Sequence, residues 1–438
     1  MIGRVLQVGA LLLVTLGHAQ EVPATTPLLR VTSNEARWVE PFAQVLGLSM
    51  PTLASGEQLL LSVVAAKPAT LSTSATPFRT RTLVVEVRAE AWLQQEAEPV
   101  RTAERQLTVR AEALAKLAGL PVAAVRSLCH QLFATAHSLE SVVAVVTQVS
   151  EGRSYDVRLE LVPDADSATA SWLGAIAPDA TAPARLAWPD AAVRLAFAVQ
   201  PDSLVKVCEP FLPLVVAFTA RGSDPTVAEA EGRALLPLLD GSFYLSLQAG
   251  RLGLVYGLRS AEQFAARATD PARLARQRED LASQRIEAEF APAALTHRDV
   301  PLLRSRVRGD TPVPGLADGD GYVTAYGARV GNLWLQIGGG EDPRDSMKVA
   351  IDDALDGRLR RPSATSPANA EPAWLTCEVD LVRLGVMTAS IVDAEANTKD
   401  APSRIQPSRI QPSRVQPSRV QLSLSSSPHT LKALIQLR

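Results

Sequence analysis

The clearest hydrophobic pattern in the chain lies between residues 122 and 136. Apolar side chains recur there every three or four residues, the spacing of one face of an α-helix, at Val122, Val125, Cys129, Leu132, Phe133 and Ala136. This pattern predicts a helix whose apolar face packs inward. Ala103–Leu117 has the same period and predicts a second helix, which Gly119 and Pro121 would end.

A different pattern follows and predicts a pair of strands. Ser141–Val149 is continuously apolar, and Asp156–Val162 alternates so that its charged residues share one face. Glu151-Gly152-Arg153 would form the turn between the two strands. Asp164 or Ser167 can then cap a further helix. The predicted order is therefore helix, hairpin, helix.

The same order of elements recurs about a hundred residues later, which raises the hypothesis of an internal duplication. Pro225–Leu239 predicts a helix, residues 242–248 and 252–258 predict two strands, and another helix begins at Ser260. The two copies share a pattern but not residue identities. Further predicted elements are helices at Asn34–Leu48 and Asp342–Leu355 and strands at Gln58–Ala66, Thr82–Glu90, Ala184–Trp188, Val193–Val199, Arg285–Phe290, Val300–Val307, Tyr322–Val330, Leu333–Ile337, Trp374–Val386, Val420–Leu424 and Thr430–Leu437.

Hairpins that alternate with helices favour the α+β class. We expect two helix-hairpin-helix units that build antiparallel sheets with helices packed on one face, because parallel strands would need helical crossovers. The predicted organisation is a leader at residues 1–19, a Pro-, Ser- and Thr-rich extension with short ordered islands at 20–80, a first unit at 81–219 and a second at 220–438.

Two predicted linkers interrupt the second unit, at residues 358–372 and 393–421. Residues 402–421 hold four copies of the pentapeptide Pro-Ser-Arg-(Ile/Val)-Gln. Proline at every fifth position predicts an extended, disordered spacer with little to bury. A basic strip for acidic polymers stays open as an alternative, formed by Arg404, Arg409, Arg414 and Arg419.

The first nineteen residues have the layout of a secretory signal peptide. Arg4 gives a positive start, Val5–Leu16 is mostly apolar, and Gly17-His18-Ala19 supplies small residues before the expected cut near Ala19. The apolar run is too short for a hydrocarbon core of roughly 30 Å, which needs about 20 residues. We therefore expect an exported product, periplasmic or extracellular, with no transmembrane anchor after cleavage.

Composition and charge narrow the classes of partner. Hydrophobic residues make up 47% and charged residues 21% of the chain, as in ordinary folded proteins. A formal net charge of −2 argues against nucleic acid as a partner, since its binders carry a basic excess. Cys129, Cys208 and Cys377 are too few for a disulfide framework, and whether any two of them pair stays open.

Two candidate cation sites lack the spacing that a metal requires. His130 and His137 lie on the polar edge of the predicted helix, whereas Cys129 faces its apolar stripe. Asp318-Gly319-Asp320-Gly321 resembles the start of a calcium loop, but Arg329 occupies the twelfth position, where a bidentate Glu is needed. We expect neither a metal nor a cofactor.

Other motifs have simpler explanations. Arg308-Gly309-Asp310 spells a tripeptide bound by adhesion receptors, and turn chemistry accounts for it. Gly338-Gly339-Gly340 precedes a helix start, where anions can bind, but Glu341-Asp342 places negative charge at that end. The chain contains no Gly-x-Ser-x-Gly and no His-Glu-x-x-His, so its catalytic residues, if any, are unknown. A glycosidase-like pair of carboxylates stays open.

One ordered set of motifs suggests a family. The segment YDVRLELVPDADSATASWL, starting at Tyr155, contains a strand that ends in Pro-x-x-x-Ser and a helix, and Leu239-Asp240-Gly241-Ser242 later starts another strand. In this the chain resembles uncharacterised exported proteins of environmental Gram-negative bacteria, over roughly residues 120–360. The resemblance implies an exported product and supplies no activity, cofactor or site residue.

The sequence therefore predicts an exported protein of the envelope that binds or scaffolds and does not catalyse. Its partner would be an apolar ligand or an envelope component; an apolar ligand between helix and curved sheet needs a cavity of roughly 300 Å³ or more. Two alternatives stay open. One is a secreted or periplasmic hydrolase of envelope or environmental polymers, and the other is a structural or adhesion protein that uses the Arg308 loop or the arginine spacer.

Overall fold

The structure is a computed structural model of the 438-residue chain. It describes residues 27–45, 49–50, 58–64, 70–74, 80–89, 97–117, 122–150, 154–179, 183–212, 225–248, 250–283, 285–309, 316–340, 342–359, 373–385, 419–427 and 430–438. The predicted leader, nearly all of both predicted linkers and residues 402–418 of the repeats lie outside these ranges. Contacts group the described residues into two units. The first holds those up to Gly174 and from Ser426 onward, and the second those from Ala175 to Ser425.

The first unit is built on antiparallel strands. Its elements are β1 (Pro27–Ser33), α1 (Ala36–Val45), β2 (Gln58–Val64), β3 (Thr70–Ser74), β4 (Thr82–Val87), α2 (Ala97–Leu117), α3 (Val122–His137), β5 (Leu139–Ser150), β6 (Ser154–Pro163), α4 (Ala168–Ala175) and β16 (Thr430–Leu437). The strand order is β16-β6-β5-β4-β1-β2-β3, and the register pairs, for example, Leu431 with Leu161.

The core of this unit lies where α1 packs on β1 and β2. Trp38, Val39 and Ala43 recur at helical spacing, so α1 presents one apolar face to the sheet. The sheet side of the core consists of Leu29, Val31, Leu59, Leu61 and Leu83. Much of this core belongs to residues 20–80, where the sequence predicted an extension with only short ordered islands. Strands β1 and β3 were not predicted.

The second unit also consists mainly of antiparallel strands. Its elements are β7 (Val193–Ala198), α5 (Pro201–Cys208), α6 (Pro225–Leu235), β8 (Leu239–Gln248), β9 (Arg251–Leu258), α7 (Ala261–Ala268), α8 (Pro271–Ser283), β10 (Glu287–His297), β11 (Val300–Arg308), β12 (Val323–Val330), β13 (Leu333–Gly338), α9 (Pro343–Leu355), β14 (Leu375–Asp380) and β15 (Arg419–Ser427). The strand order is β10-β11-β12-β13-β9-β8-β7-β14-β15.

Helices cover both faces of the strands of this unit. Trp334 and Leu335 are consecutive in β13 and therefore point to opposite faces. Leu335 belongs to the core that Met347 and Ile351 of α9 help to form, while Trp334 meets Phe264 of α7. The expectation that helices pack on one face only is wrong here.

The predicted fold class is wrong as a whole. Both predicted hairpins exist, as β5–β6 and β8–β9, but neither is the centre of a helix-hairpin-helix unit. Strand β6 also pairs with β16, and β8 also pairs with β7, so each hairpin lies inside a wider antiparallel sheet. Strand residues outnumber helical residues in the described chain. The division at residues 219 and 220 stays a prediction.

Helix α3 shows why the strongest sequence pattern was misread. Its range is confirmed, but Ala124 is the residue that becomes fully buried, and Leu132 of the predicted inner face is 59% exposed. The helix packs mainly against α2 instead of against a strand. A small alanine suits a close helix–helix contact, where backbones approach, better than a large side chain does.

Two predicted strands differ from the observed structure. Residues 184–188 form no strand; they cross the sheet so closely that a Cβ on Gly253 would lie 2.3 Å from Leu186 Cδ1. Strand β14 stops at Asp380, because the Asp380 carboxylate accepts hydrogen bonds from the backbone N–H groups of Val382 and Arg383 and starts a short helix at 381–385. Within the described ranges, no helix has the length and apolar character needed to cross a membrane.

Candidate functional site

A groove of about 560 Å³ lies beside α7 in the second unit. Residues of α7, of the β10–β11 hairpin, of β12 and β13 and of the end of α9 line it. Its lining includes Glu262, Ala266, Thr269, Asp299, Gly327, Arg329 and Trp334. Its size falls within the range of roughly 300–1,000 Å³ that is typical of small-molecule sites.

An indole ring set against a glycine forms one wall of the groove. A Cβ on Gly327 would lie 2.7 Å from Trp334 Cζ2, so the ring takes the space that a side chain on β12 would fill. The Trp334 ring also meets Phe264 of α7, with centroids 5.4 Å apart and an interplanar angle of 61°. This edge-on geometry suits aromatic pairs and fixes α7 against the sheet.

The lip of the groove is a two-residue turn that joins β10 to β11. Arg298 and Asp299 follow the last strand pair, His297 with Val300, and both have left-handed backbones with φ of 48° and 63°. A type I′ turn has this geometry and ordinarily takes Asn-Gly. Ala293, a further lining residue with φ of 53°, lies where the β10–β11 register shifts. Left-handed backbone at non-glycine residues is strained and concentrates at functional sites.

Ionic contacts with α9 hold this turn in place. The Arg298 guanidinium lies 3.3 Å from Asp352 and 3.0 Å from Asp356, and His297 Nε2 lies 2.9 Å from Asp352 Oδ1. The hydrogen bond with His297, together with the neighbouring Arg298 charge, keeps the pKa of the Asp352 carboxyl below its usual range. The charge of Arg298 is therefore directed to α9 and away from Asp299.

The polar groups at the groove differ in how well they are partnered. Arg329 Nη1 lies 4.0 Å from the carboxylate of Glu262, whose side chain is 92% exposed. Thr269 Oγ1 donates its proton to the Ala265 carbonyl at 2.9 Å and so keeps its lone pairs free to accept. In the part of the chain that the structure describes, the Asp299 carboxylate has neither a hydrogen-bond nor an ion-pair partner.

The structure does not bring the predicted metal candidates together. His137 Nε2 lies 2.6 Å from Glu104 on α2, and His130 is exposed. In the described ranges, no three His, Cys, Asp or Glu side chains are placed to hold a metal ion. Cys129, Cys208 and Cys377 are free thiols, and burial raises the pKa of Cys208 and Cys377.

The Asp-Gly loop and the adhesion tripeptide serve the fold locally. Asp318 Oδ1 accepts hydrogen bonds from the backbone N–H groups of Asp320 and Tyr322, as in an Asx turn. Arg308 pairs with Glu287 and stacks over the ring of Tyr322, 4.7 Å from its centroid. Asp310, the third residue of the tripeptide, lies outside the described residues.

The glycine run and the arginine repeats can also be placed. Gly339 and Gly340 have φ of 78° and 76°, so they make the bend from β13 into α9. Asp342 then caps α9 by accepting a hydrogen bond from the backbone N–H of Asp345 at 3.0 Å. Arg419 starts β15 and lies 3.2 Å from Glu378, whereas the other three arginines of the repeats lie outside the described ranges.

Sequence reasoning missed the groove. Its residues come from segments between 262 and 355, and only the fold brings them together. From the sequence, Arg329 was considered only as the residue at the twelfth position of a possible calcium loop, where a Glu is required. A weak signal existed in the two Gly residues, Gly327 and Gly331, near Trp334, because glycine in or beside a strand can mark a close approach.

Comparisons with known protein families, with curated proteins and with solved structures found no match to this chain.

Proposed function

We propose that this chain is an exported binding protein that holds a small, mostly apolar molecule in the groove beside α7 and does not convert it. The main support for this proposal is the size of the groove, because its volume of about 560 Å³ exceeds the roughly 300 Å³ that such a ligand needs. Its lining is largely Ala, Pro, Val, Leu and Trp, which favours apolar surface over water. Export rests on the leader pattern of residues 1–19.

The size of the groove sets an expected affinity. Drug-sized ligands gain about 0.3 kcal/mol per heavy atom, so a molecule of about twenty heavy atoms gains about 6 kcal/mol. That free energy corresponds to a Kd of tens of micromolar. Titrations should therefore extend from about 1 μM to about 1 mM, so that the expected Kd lies within the range.

The test combines ligand detection with a variant that fills the groove. Native mass spectrometry of the full chain, purified from the exported fraction of its producing cells, should show an additional bound mass of a few hundred daltons. Ala266 is an exposed lining residue of α7, so Ala266→Trp should occupy the groove without disturbing the core. We expect it to remove the bound mass and to weaken binding of an apolar fluorescent probe at least tenfold.

The matched control is Ala136→Trp, which adds the same ring to an exposed alanine of α3 in the other unit. This control variant should bind the probe as the unaltered chain does. Equal probe binding by both variants would contradict the proposal, because the ring in the groove would then have displaced nothing.

A hydrolase is the second candidate, and one observation favours it. The carboxylates of Glu262 and Asp299 line the same groove, and a His297–Asp352 pair stands beside it. Among the described residues, however, no Ser, Thr or Cys side chain is hydrogen-bonded to His297, so the nucleophile of a triad is missing. Glu262 lies in solvent, whereas a general acid usually works where water is excluded.

A substrate panel decides between the two candidates. Chromogenic ester, glycoside and peptide substrates should show no turnover above the background rate if the groove only binds. Turnover that disappears in Glu262→Gln or Asp299→Asn would establish the hydrolase instead. The adhesion alternative gains no support of this kind, because Arg308 is already engaged by Glu287 and Tyr322 within the chain.

A further inference from the structure

We infer that the ligand of the groove carries a positive charge, namely a protonated amine on an apolar body, and that the Asp299 carboxylate binds this amine. The inference rests on the proposed function, because it names the chemical class of ligand for the same groove. Three features of the groove support it: the balance of charge, the position of Asp299 and the chemistry of the surrounding side chains.

The charges that line the groove are unbalanced. Two carboxylates, Glu262 and Asp299, face one guanidinium, that of Arg329. Arg329 lies 4.0 Å from Glu262, and the three side chains together carry two negative charges against one positive charge. Asp299 is left without a partner among the described residues. A cationic group on the ligand would therefore complement the groove, whereas a carboxylate would face uncompensated negative charge.

The cation next to Asp299 in the chain is already paired with other carboxylates. Arg298 is the adjacent residue in the chain, but its guanidinium contacts Asp352 and Asp356 of α9. Each of the two turn residues therefore has a distinct role. Arg298 ties the turn to α9, and Asp299 stands in a left-handed conformation at the lip with its charge available.

One neutral polar side chain in the groove, that of Thr269, is free to accept a hydrogen bond. Thr269 Oγ1 has given its proton to the Ala265 carbonyl, so it can accept an N–H from the ligand. The largely buried indole of Trp334 adds apolar surface to the same space. The apolar remainder of the wall suits a hydrocarbon body attached to such a group.

The test uses three probes that share a ten-carbon body and differ only in the head group: decylammonium, decanol and decanoate. Isothermal titration of the full chain at neutral pH, below the micelle concentrations of the probes, should rank decylammonium first, at least tenfold above decanol. Decanoate should bind most weakly. The preference for decylammonium should shrink as salt rises from about 0.02 M to about 0.5 M, since ions screen exposed charges.

Asp299→Asn tests the residue itself. Asparagine tolerates the left-handed backbone, so the turn and the fold are preserved. We expect this variant to bind decylammonium about tenfold more weakly while its affinity for decanol stays the same. Asp202→Asn, which removes one exposed carboxylate from α5 in the same unit, is the matched control and should leave all three affinities unchanged.

The possible results separate the inference from the proposed function. If none of the probes binds, both fail. If all three bind with equal affinity, the groove binds apolar molecules and the inference is overturned. If decanoate binds best, Arg329 and not Asp299 binds the head group of the ligand, and the inference is again overturned. A preference for decylammonium that survives in Asp299→Asn would overturn the assignment of Asp299.

Discussion

Substitution of single residues in the groove should change the stability of the protein by measurable amounts. Gly327→Ala places a Cβ 2.7 Å from Trp334 Cζ2, so the ring must move or the strand must shift. We expect a loss of about 1–3 kcal/mol in the free energy of unfolding, as for other overpacked sites. Urea denaturation followed by tryptophan fluorescence measures this change.

The control for this prediction is Gly319→Ala. A Cβ there would have no atom within 4 Å, so the free energy of unfolding should stay within about 0.5 kcal/mol of its original value. Equal losses in the two variants would mean that the Trp334 contact is unimportant.

A second residue, Asp352, makes stability depend on pH. Its pKa is lowered in the folded state by His297 and Arg298, so the unfolded chain binds its proton first as the pH falls. The stabilisation is present above the unfolded pKa, near 4, and is lost as the pH falls through the lower folded pKa. Urea midpoints recorded between pH 6 and pH 2 should therefore decline less steeply in Asp352→Asn.

Asp166→Asn provides the comparison for the pH series, since Asp166 is an exposed loop residue whose side chain makes no hydrogen bond or ion pair with another described residue. It should reproduce the slope of the unaltered chain. If Asp352→Asn gives that slope too, the contacts between the turn and α9 contribute nothing to acid stability.

At the residue scale, the sequence showed that several known catalytic and metal-binding motifs are missing, but it did not indicate the groove. Arg329 was noted only because it stands where a calcium loop needs a Glu. Nothing in the sequence distinguished Asp299 from the other acidic residues. The importance of Asp299 comes from its φ of 63° and from the contacts that draw Arg298 away. Both features depend on tertiary structure. An Arg-Asp pair in a sequence does not predict a type I′ turn, which ordinarily takes Asn-Gly.

At the scale of elements, the β10–β11 hairpin is expected to trade stability for binding. Asp299→Gly should stabilise the protein by roughly 0.5–1 kcal/mol, because glycine adopts the left-handed backbone without steric cost. The same change should abolish the preference for decylammonium. Thermal unfolding of this variant measures the change in stability, and isothermal titration with decylammonium and decanol measures the change in preference.

The reciprocal change sits in the neighbouring hairpin. Gly331 connects β12 to β13 with φ of 59° and open space around its Cβ position, so Gly331→Ala should destabilise by about 1 kcal/mol through backbone strain alone. A destabilised Asp299→Gly would contradict the idea that the lip of the groove is strained.

The sequence predicted elements better than it predicted their partners. Strand β16 has the predicted bounds, Thr430–Leu437, and α9 differs from its prediction by one residue. Periodicity and capping residues are local signals, and these were sufficient for such elements. The pairing of β6 with β16 joins segments that no local pattern relates, and this pairing is what overturned the helix-hairpin-helix units.

For the whole molecule, the leader makes the most direct prediction. If residues 1–19 are removed during export, the exported protein should begin at Gln20, as intact mass and N-terminal sequencing would show. Replacing Ala19 by Arg should block the cut and leave the leader attached, because the cleavage site requires small residues. A product that still begins at Met1 in the exported fraction would contradict the prediction.

At this scale the structure adds core residues to segment 20–80, whose place in the domain organisation as an extension with short ordered islands stays a prediction. Their Pro, Ser and Thr content suggested an extension, yet Val31, Val39 and Leu59 are fully buried there. Short strands with ordinary composition can form a core when a helix such as α1 covers them. Composition averages over both faces of a strand and so hides the apolar one.

The pairing of β16 with β6 also determines when the first unit can be finished. Gln436 and Asp156, neighbours across this strand pair, are 280 residues apart in the chain. At about 5–20 residues per second, a ribosome needs roughly 15–60 s to make that stretch. During this time the outer edge of β6 has no partner, and an open strand edge invites aggregation. If the chain is exported, this delay is useful. The first unit cannot complete its fold before β16 is made, so the chain stays unfolded enough to pass through the membrane until its last strand has been translocated.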